Sequence, residues 1–424
     1  MVDGRSDRRN GATMANLDGL ADFYRDLHRH PELGFQERRT AGIIAERLRA
    51  AGYEVTPGIA GTGVAGLLRN GPGPTALLRA DMDCLPVKEE TGLPYASMAT
   101  APDGNGGELP VMHACGHDMH VTCLIGAAEE LAANPDGWSG TVMAVFQPGE
   151  ELGSGAKAMV DDGLYEKVAH PDVVLGQHVA PIPVGVIGLH PGPAFASSDA
   201  LKITLHGRGG HGSRPEAAVD PIVMAAAVVM RLQTVVAREV PATETAVVTV
   251  GSLNAGVAFN IIPDTAELLI NIRTFSEPIR DQVVAAIKRI VNAEAQASNA
   301  PQPPDIEELI HFPALINDPD AVQRTQPALA GLPAFVVDPG LVTGSEDVGV
   351  FAARAGVPCV YWLLGSADPK VFEGATTVEE LAMRVAGLPA NHSPLFAPVI
   401  HPTIENGIAA LVAAAKTWLP VPSG

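Results

Sequence analysis

Residues 113–120 read His-Ala-Cys-Gly-His-Asp-Met-His, which places three imidazoles, one thiol and one carboxylate within eight positions. Neutral imidazole nitrogen and cysteine thiolate are the donors that borderline-soft divalent cations such as zinc favour. The whole chain has 13 histidines and 4 cysteines, so an even scatter would not give this cluster. A metal site is the reading it supports, ahead of a helix cap or a small buried hydrophobe. Further donors stand elsewhere, in Arg79-Ala-Asp-Met-Asp83, Gln147-Pro-Gly-Glu150-Glu151, Gly176-Gln-His178 and Asn391-His392-Ser-Pro394. Neighbouring side chains diverge, so one of the two glutamates can hold a cation while the other addresses a water on it. Alone, that pair suits a solvated helix start, where acids complement the dipole, and His178 and His392 suit ordinary hydrogen-bonded histidines. The adjacent cluster gives all of them weight.

The elements that must position these groups alternate. Apolar periodicity predicts helices over 16–29, about 37–51, 121–133 and 154–162, and strands over 64–68, 75–80, 141–146 and 172–176. Such alternation implies an α/β domain with a largely parallel, buried sheet. The Arg79–Asp83, Gln147–Glu151 and Gly176–His178 segments then fall at carboxyl ends of strands, where open α/β sheets bind ligands. From about residue 196 the rhythm becomes strand 200–206, helix 217–237, strands 245–252 and 265–274, helix 278–297 and strand 305–311. That β-α-β-β-α-β order is the ferredoxin-like unit. A helix near 320–330, a strand at 357–364 and a closing helix from 402 to 418 resume the first domain. The expected division is a tail over 1–15, a metal-binding domain over 16–195 and 312–424, and an inserted domain over 196–311.

Composition sets bounds. The 424 residues, 46% of them hydrophobic, exceed one typical core. With 28 basic against 48 acidic residues the formal net charge is −20, so no basic stripe exists to replace counterions and a general nucleic-acid binder is excluded. Four scattered cysteines make no disulfide framework. The arginine-rich start has no apolar core of a secretory signal, Met14 offers an alternative start, and no uninterrupted apolar run reaches bilayer-spanning length. A soluble, cytoplasmic protein with reduced thiols and no membrane partner is expected.

The motifs Leu27-His-Arg-His-Pro-Glu-Leu-Gly-Phe35, Arg79-Ala-Asp-Met-Asp-Cys-Leu-Pro86, His113-Ala-Cys-Gly-His-Asp118, Phe146-Gln-Pro-Gly-Glu-Glu151, Gly344-Ser-Glu-Asp347 and Asn391-His-Ser-Pro394, in this order, resemble the M20 metallopeptidase family. The nearest branch is its amidohydrolases of the hippurate hydrolase and auxin-conjugate hydrolase type. The resemblance implies two divalent metal ions (zinc, manganese, cobalt or nickel) on Cys115, His117, Glu151, His178 and His392, with the thiolate bridging. It implies Glu150 as general base and then acid toward a metal-activated water, and Asp83 orienting a ligand histidine. In the Gly-rich loop Gly207-Arg-Gly-Gly-His211-Gly, it implies that His211 polarises the carbonyl across a homodimer interface made by the inserted domain. Asn260 and Arg273 match positions that bind the substrate's carboxylate or oxyanion, for which the arginine supplies a planar fork. Gly149 stands where the family often has Ala. The activity implied is hydrolysis of small N-acyl amino acids. A dipeptidase or aminopeptidase, with Glu346 or Asp347 reading a free amine, and an N-acetyl-diaminopimelate deacetylase are the alternatives within the superfamily. A non-catalytic metal-dependent binding protein is the alternative outside it, against which the retained Glu150 argues.

Overall fold

The computed structural model describes residues 17–104 and 106–421; the tail expected over 1–15 lies outside the described residues. The chain divides into two compact units, one built from residues up to 191 with 317–339 and 350–424, the other from 192–316 with 340–349. Residues 340–349 therefore group with the smaller unit, although the alternation of elements places everything from 312 onward in the larger one.

In the larger unit an eight-stranded sheet runs in the order Glu54–Ile59, Gly63–Asn70, Gly140–Gln147, Thr75–Asp81, Val173–Pro183, Cys359–Ala367, Val186–Gly188 and Phe335–Val337. The four strands from Gly140–Gln147 to Cys359–Ala367 are mutually parallel, and nearly all of their Val, Leu and Ala residues are buried. Helix Leu17–Arg29 buries Leu20, Phe23, Tyr24 and Leu27 at helical spacing, each worth roughly 1.5–3 kcal/mol relative to exposure. Helix His117–Ala133 is buried almost all round. Its core residues share one cluster with those of helices Leu17–Arg29 and Thr403–Trp418.

The smaller unit has the expected element order: strand Ser198–His206, helix Pro221–Arg238, strands Ala246–Ala255 and Thr265–Thr274, helix Glu277–Ala297 and strand Asp305–Phe312. The four strands pair antiparallel with Thr265–Thr274 and Ser198–His206 central, the ferredoxin-like arrangement. Helix Pro221–Arg238 has the length and mean hydropathy of a membrane span. Here it packs Met224, Ala225, Val228, Leu232 and Val235 into the core of this small sheet unit.

Three differences from the sequence reading affect the site. Helix His117–Ala133 begins four residues earlier than the pattern suggests. Gly116 turns the chain at φ +85°, and the polar residues that follow are buried rather than solvated. Strand Val173–Pro183 continues past Gly176, so His178 sits within it. The short strands Val186–Gly188 and Phe335–Val337 are too brief to show a period.

Candidate metal centre

The parallel strands deliver the site residues to one end. Asp81 closes its strand, Asp83 lies two residues beyond, Glu150 and Glu151 follow Gln147, and His178 comes just after the last pairing of its strand with Arg79. The turn 113–116 leads into the helix that starts at His117, and His392 is held in a loop at φ +72° with its N–H donating to Ala114 O. Gly149 bends the Glu-Glu loop at φ +57°, and a Cβ there would stand 2.7 Å from the Phe35 ring. The position that departs from the family's usual Ala therefore needs Gly in this chain. Buried Glu37 accepts the Gly149 N–H at 2.9 Å and steadies the same loop.

The donor atoms converge. Cys115, His117 and His178 each offer an atom within 4.8 Å of one another, and so do Cys115, Glu151 and His392. Cys115 Sγ is 3.4 Å from His178 Nε2, and Glu151 Oε1 is 3.3 Å from His392 Nε2. Cys115 thus belongs to both triads, as a thiolate shared by two cations would. His117 Nε2 is buried without a hydrogen bond; buried polar atoms are normally paired. Burial, then Glu151 and Glu150, push the Cys115 thiol well above its usual range, so a thiolate here requires cationic charge beside it. For His117 burial favours the neutral ring, but Asp81, Asp83 and Glu151 outweigh it and raise its pKa to about 10. The buried S/N/O donor set fits divalent cations.

Supporting contacts fix the orientation of these donors. Asp83 is buried and accepts from His117 Nδ1 at 3.2 Å and from the Glu151 N–H at 3.0 Å, which leaves His117 Nε2 for a cation. Glu150 is buried, with Oε2 4.0 Å from His117 Nε2. His178 Nδ1 lies 2.8 Å from Val179 O, so Nε2 faces Cys115. Burial lowers the His178 pKa to about 4, keeping the ring neutral as a ligand must be.

The remaining expected residues lie in the smaller unit. His211 and Asn260 are brought together there: both are exposed, the Gly212 N–H donates to Asn260 O at 2.8 Å, and His211 pairs with Ile261 across a short ladder. Arg273 donates from one nitrogen to Thr343 O at 3.0 Å and Ser345 Oγ at 2.9 Å. Glu346 and Asp347 are both buried, and Glu346 accepts the Val348 N–H.

Several neighbours escaped the sequence reading, although their motifs were visible. His28 is fully buried between Asp118 (2.6 Å) and Glu89 (3.2 Å). Arg79 donates to Asp81 at 2.7 Å and to Gln147 at 2.8 Å, and Asp81 accepts from His120. Apart from Arg79–Asp81, these contacts join residues tens of positions apart, which spacing alone does not reveal.

Known proteins resemble this chain in sequence and in fold. The model of the family described as Peptidase family M20/M25/M40 matches residues 77–386. Hippurate hydrolase of Campylobacter jejuni is 42% identical over 347 residues, covering 80% of this chain and 85% of the relative. Thermostable carboxypeptidase 1 of Saccharolobus solfataricus is 36% identical over 358 residues, covering 83% and 87%. Among solved structures, a dinuclear metal binding peptidase of the M20 family from Bacillus subtilis superposes with a TM-score of 0.75 at 28% identity, covering 95% of this chain and 99% of that one.

Proposed function

The chain belongs to peptidase family M20/M25/M40, and from that premise we propose that it hydrolyses the amide bond of small N-acyl amino acids at a dinuclear metal site. The observation that carries the reading is the pair of donor triads sharing Cys115, with Glu150 beside them. In it Cys115, His117, Glu151, His178 and His392 hold two divalent ions, of zinc, manganese, cobalt or nickel. The ions, when bound, supply Lewis acidity toward a water and the scissile carbonyl. Glu150 takes a proton from the water and returns it to the leaving amine. Asp83 holds the His117 ring and the Glu151 backbone through its two oxygens.

A hippurate hydrolase and a carboxypeptidase are both relatives, and both names describe cleavage of an amide whose nitrogen belongs to an amino acid with a free carboxylate. Arg273 and Asn260 are the groups we assign to that carboxylate or to the oxyanion, His211 to polarising the carbonyl, and Glu346 to the substrate side of the site. The smaller unit serves as lid and homodimer face. Its edge strand Ala246–Ala255 and helix Pro221–Arg238 leave Val223, Met230 and Val247 exposed, and His211 is exposed with them, as a residue contributed to a neighbouring copy would be. With four free, buried cysteines, the setting we assign is the cytoplasm. The test is amino-acid release from N-acetyl, N-benzoyl and N-succinyl amino acids and from dipeptides. Release confined to the acylated substrates is expected; release from dipeptides alone would move the chain to the peptidases, and silence with every metal would favour a binding protein.

A further inference from the structure

His120 is the one histidine of the 113–120 cluster engaged at both ring nitrogens. Its Nδ1 lies 2.5 Å from Asp81 Oδ1, and its Nε2 accepts the Val179 N–H at 2.8 Å. Because Nε2 accepts from an amide, the proton of the neutral ring is on Nδ1 and is donated to Asp81. Asp81 is anchored in turn by Arg79, whose guanidinium also reaches Gln147 and the Tyr361 hydroxyl. All of these side chains are buried.

Val179, whose N–H His120 holds, also orients His178 through its carbonyl, on the other side of the Val179 Cα. Pairing of this strand with Thr75–Asp81 ends at Gly176, so the Val179 N–H has no acceptor from that strand and a side chain must supply one. Val179 O accepts from His178 Nδ1 at 2.8 Å and from Asn391 Nδ2 at 3.2 Å. Asn391 also donates to Cys115 O at 3.1 Å and precedes His392. The backbone of one residue, Val179, through the N–H of one peptide unit and the C=O of the next, is therefore tied to His120 and to the segments that carry Cys115, His178 and His392.

We propose that His120, held by Asp81, is a positioning residue for the metal centre: by holding the Val179 N–H it fixes the backbone of that residue, so that the Val179 carbonyl holds His178 Nδ1–H and turns Nε2 toward the metal. His120 itself touches no metal. Partners that orient ligand histidines in this way carry roughly 10- to 100-fold of metal affinity. The inference rests on the dinuclear reading given above.

Two substitutions separate the two bonds of His120. Glutamine in His120→Gln reaches as far as Nε2 and keeps an acceptor for the Val179 N–H. Asparagine in His120→Asn reaches only as far as Nδ1 and keeps the donor to Asp81. Metal-free protein is titrated with Co2+ and followed by visible absorption and by metal content. The wild type and His120→Gln are expected to take up two Co2+ with the same spectrum. His120→Asn is expected to bind one of them about 10- to 100-fold more weakly, with an altered spectrum. An unaffected His120→Asn, or a His120→Gln as impaired as His120→Asn, overturns the proposal. If either variant fails to fold, nitrogen NMR of the 15N-histidine-labelled wild type decides. The His120 ring must show the Nδ1–H tautomer, and an Nε2–H or doubly protonated ring overturns it. A wild type that takes up no Co2+ would fail the dinuclear reading instead, and the tautomer measurement would still decide the role of His120.

Discussion

Replacing Asp83 with Asn removes a charge and an acceptor from a carboxylate that is used twice, by His117 Nδ1 at 3.2 Å and by the Glu151 N–H at 3.0 Å. An amide in its place has one oxygen for two donors. If the oxygen keeps the Glu151 N–H, the amide nitrogen faces His117 Nδ1. That ring must then accept there and carry its proton on Nε2, the atom needed for the cation. If the oxygen keeps His117, two donors oppose each other at the Glu151 amide, at a cost of about 1–3 kcal/mol for an unsatisfied buried group. Either outcome corresponds to roughly a 10- to 100-fold loss of metal affinity. The assay is competition for Zn2+ between the metal-free protein and a chromogenic chelator, with circular dichroism as the check on folding. A folded Asp83→Asn variant that binds Zn2+ within a factor of about three of the wild type would refute the orientation argument.

Two further outcomes are expected from the supporting structure. Gly116→Ala places a methyl group 2.4 Å from Val179 Cγ2 at φ +85°. The left-handed backbone costs about 1–2 kcal/mol and the overpacking about 1–3 kcal/mol, so urea denaturation should show a loss of roughly 2–5 kcal/mol, and a change below about 0.5 kcal/mol would contradict the packing. For His28, burial favours the neutral ring, but Asp118 and then Glu89 outweigh it and raise its pKa from 6.5 to about 9. Since the folded value is the higher one, this stability, at most about 3 kcal/mol, is fully present below pH 6.5 and lost as pH rises through about 9. The urea midpoint of metal-free protein should fall across that window and flatten in His28→Gln; parallel curves for the two proteins would contradict it.

The sequence was most legible where chemistry is dense and local. Cys115 and His117 stand out because ligand types crowd into a few positions, and the ferredoxin-like order of the smaller unit follows from clear alternation of strand and helix periods. His178 and His392 were identifiable only through the family resemblance, since an isolated histidine in a strand or loop carries no signal of its own. The start of the 117–133 helix was misplaced because His117, Asp118 and His120 are polar yet buried, the combination that periodicity reads as a loop. The contacts of His28 and His120 were invisible for a different reason. Each bridges at least 39 residues of chain, so only the folded sheet brings the partners together.

The central claim is that Glu150 moves the proton in a centre whose metals are held by other residues. Its most direct test is to measure metal content and N-acyl amino acid turnover together in Glu150→Gln and the wild type. The expected result is two metal ions per chain in both proteins, with turnover in the variant lower by roughly 10²- to 10⁴-fold. Turnover near the wild-type rate, or a loss of metal that accounts for the loss of activity, would contradict it.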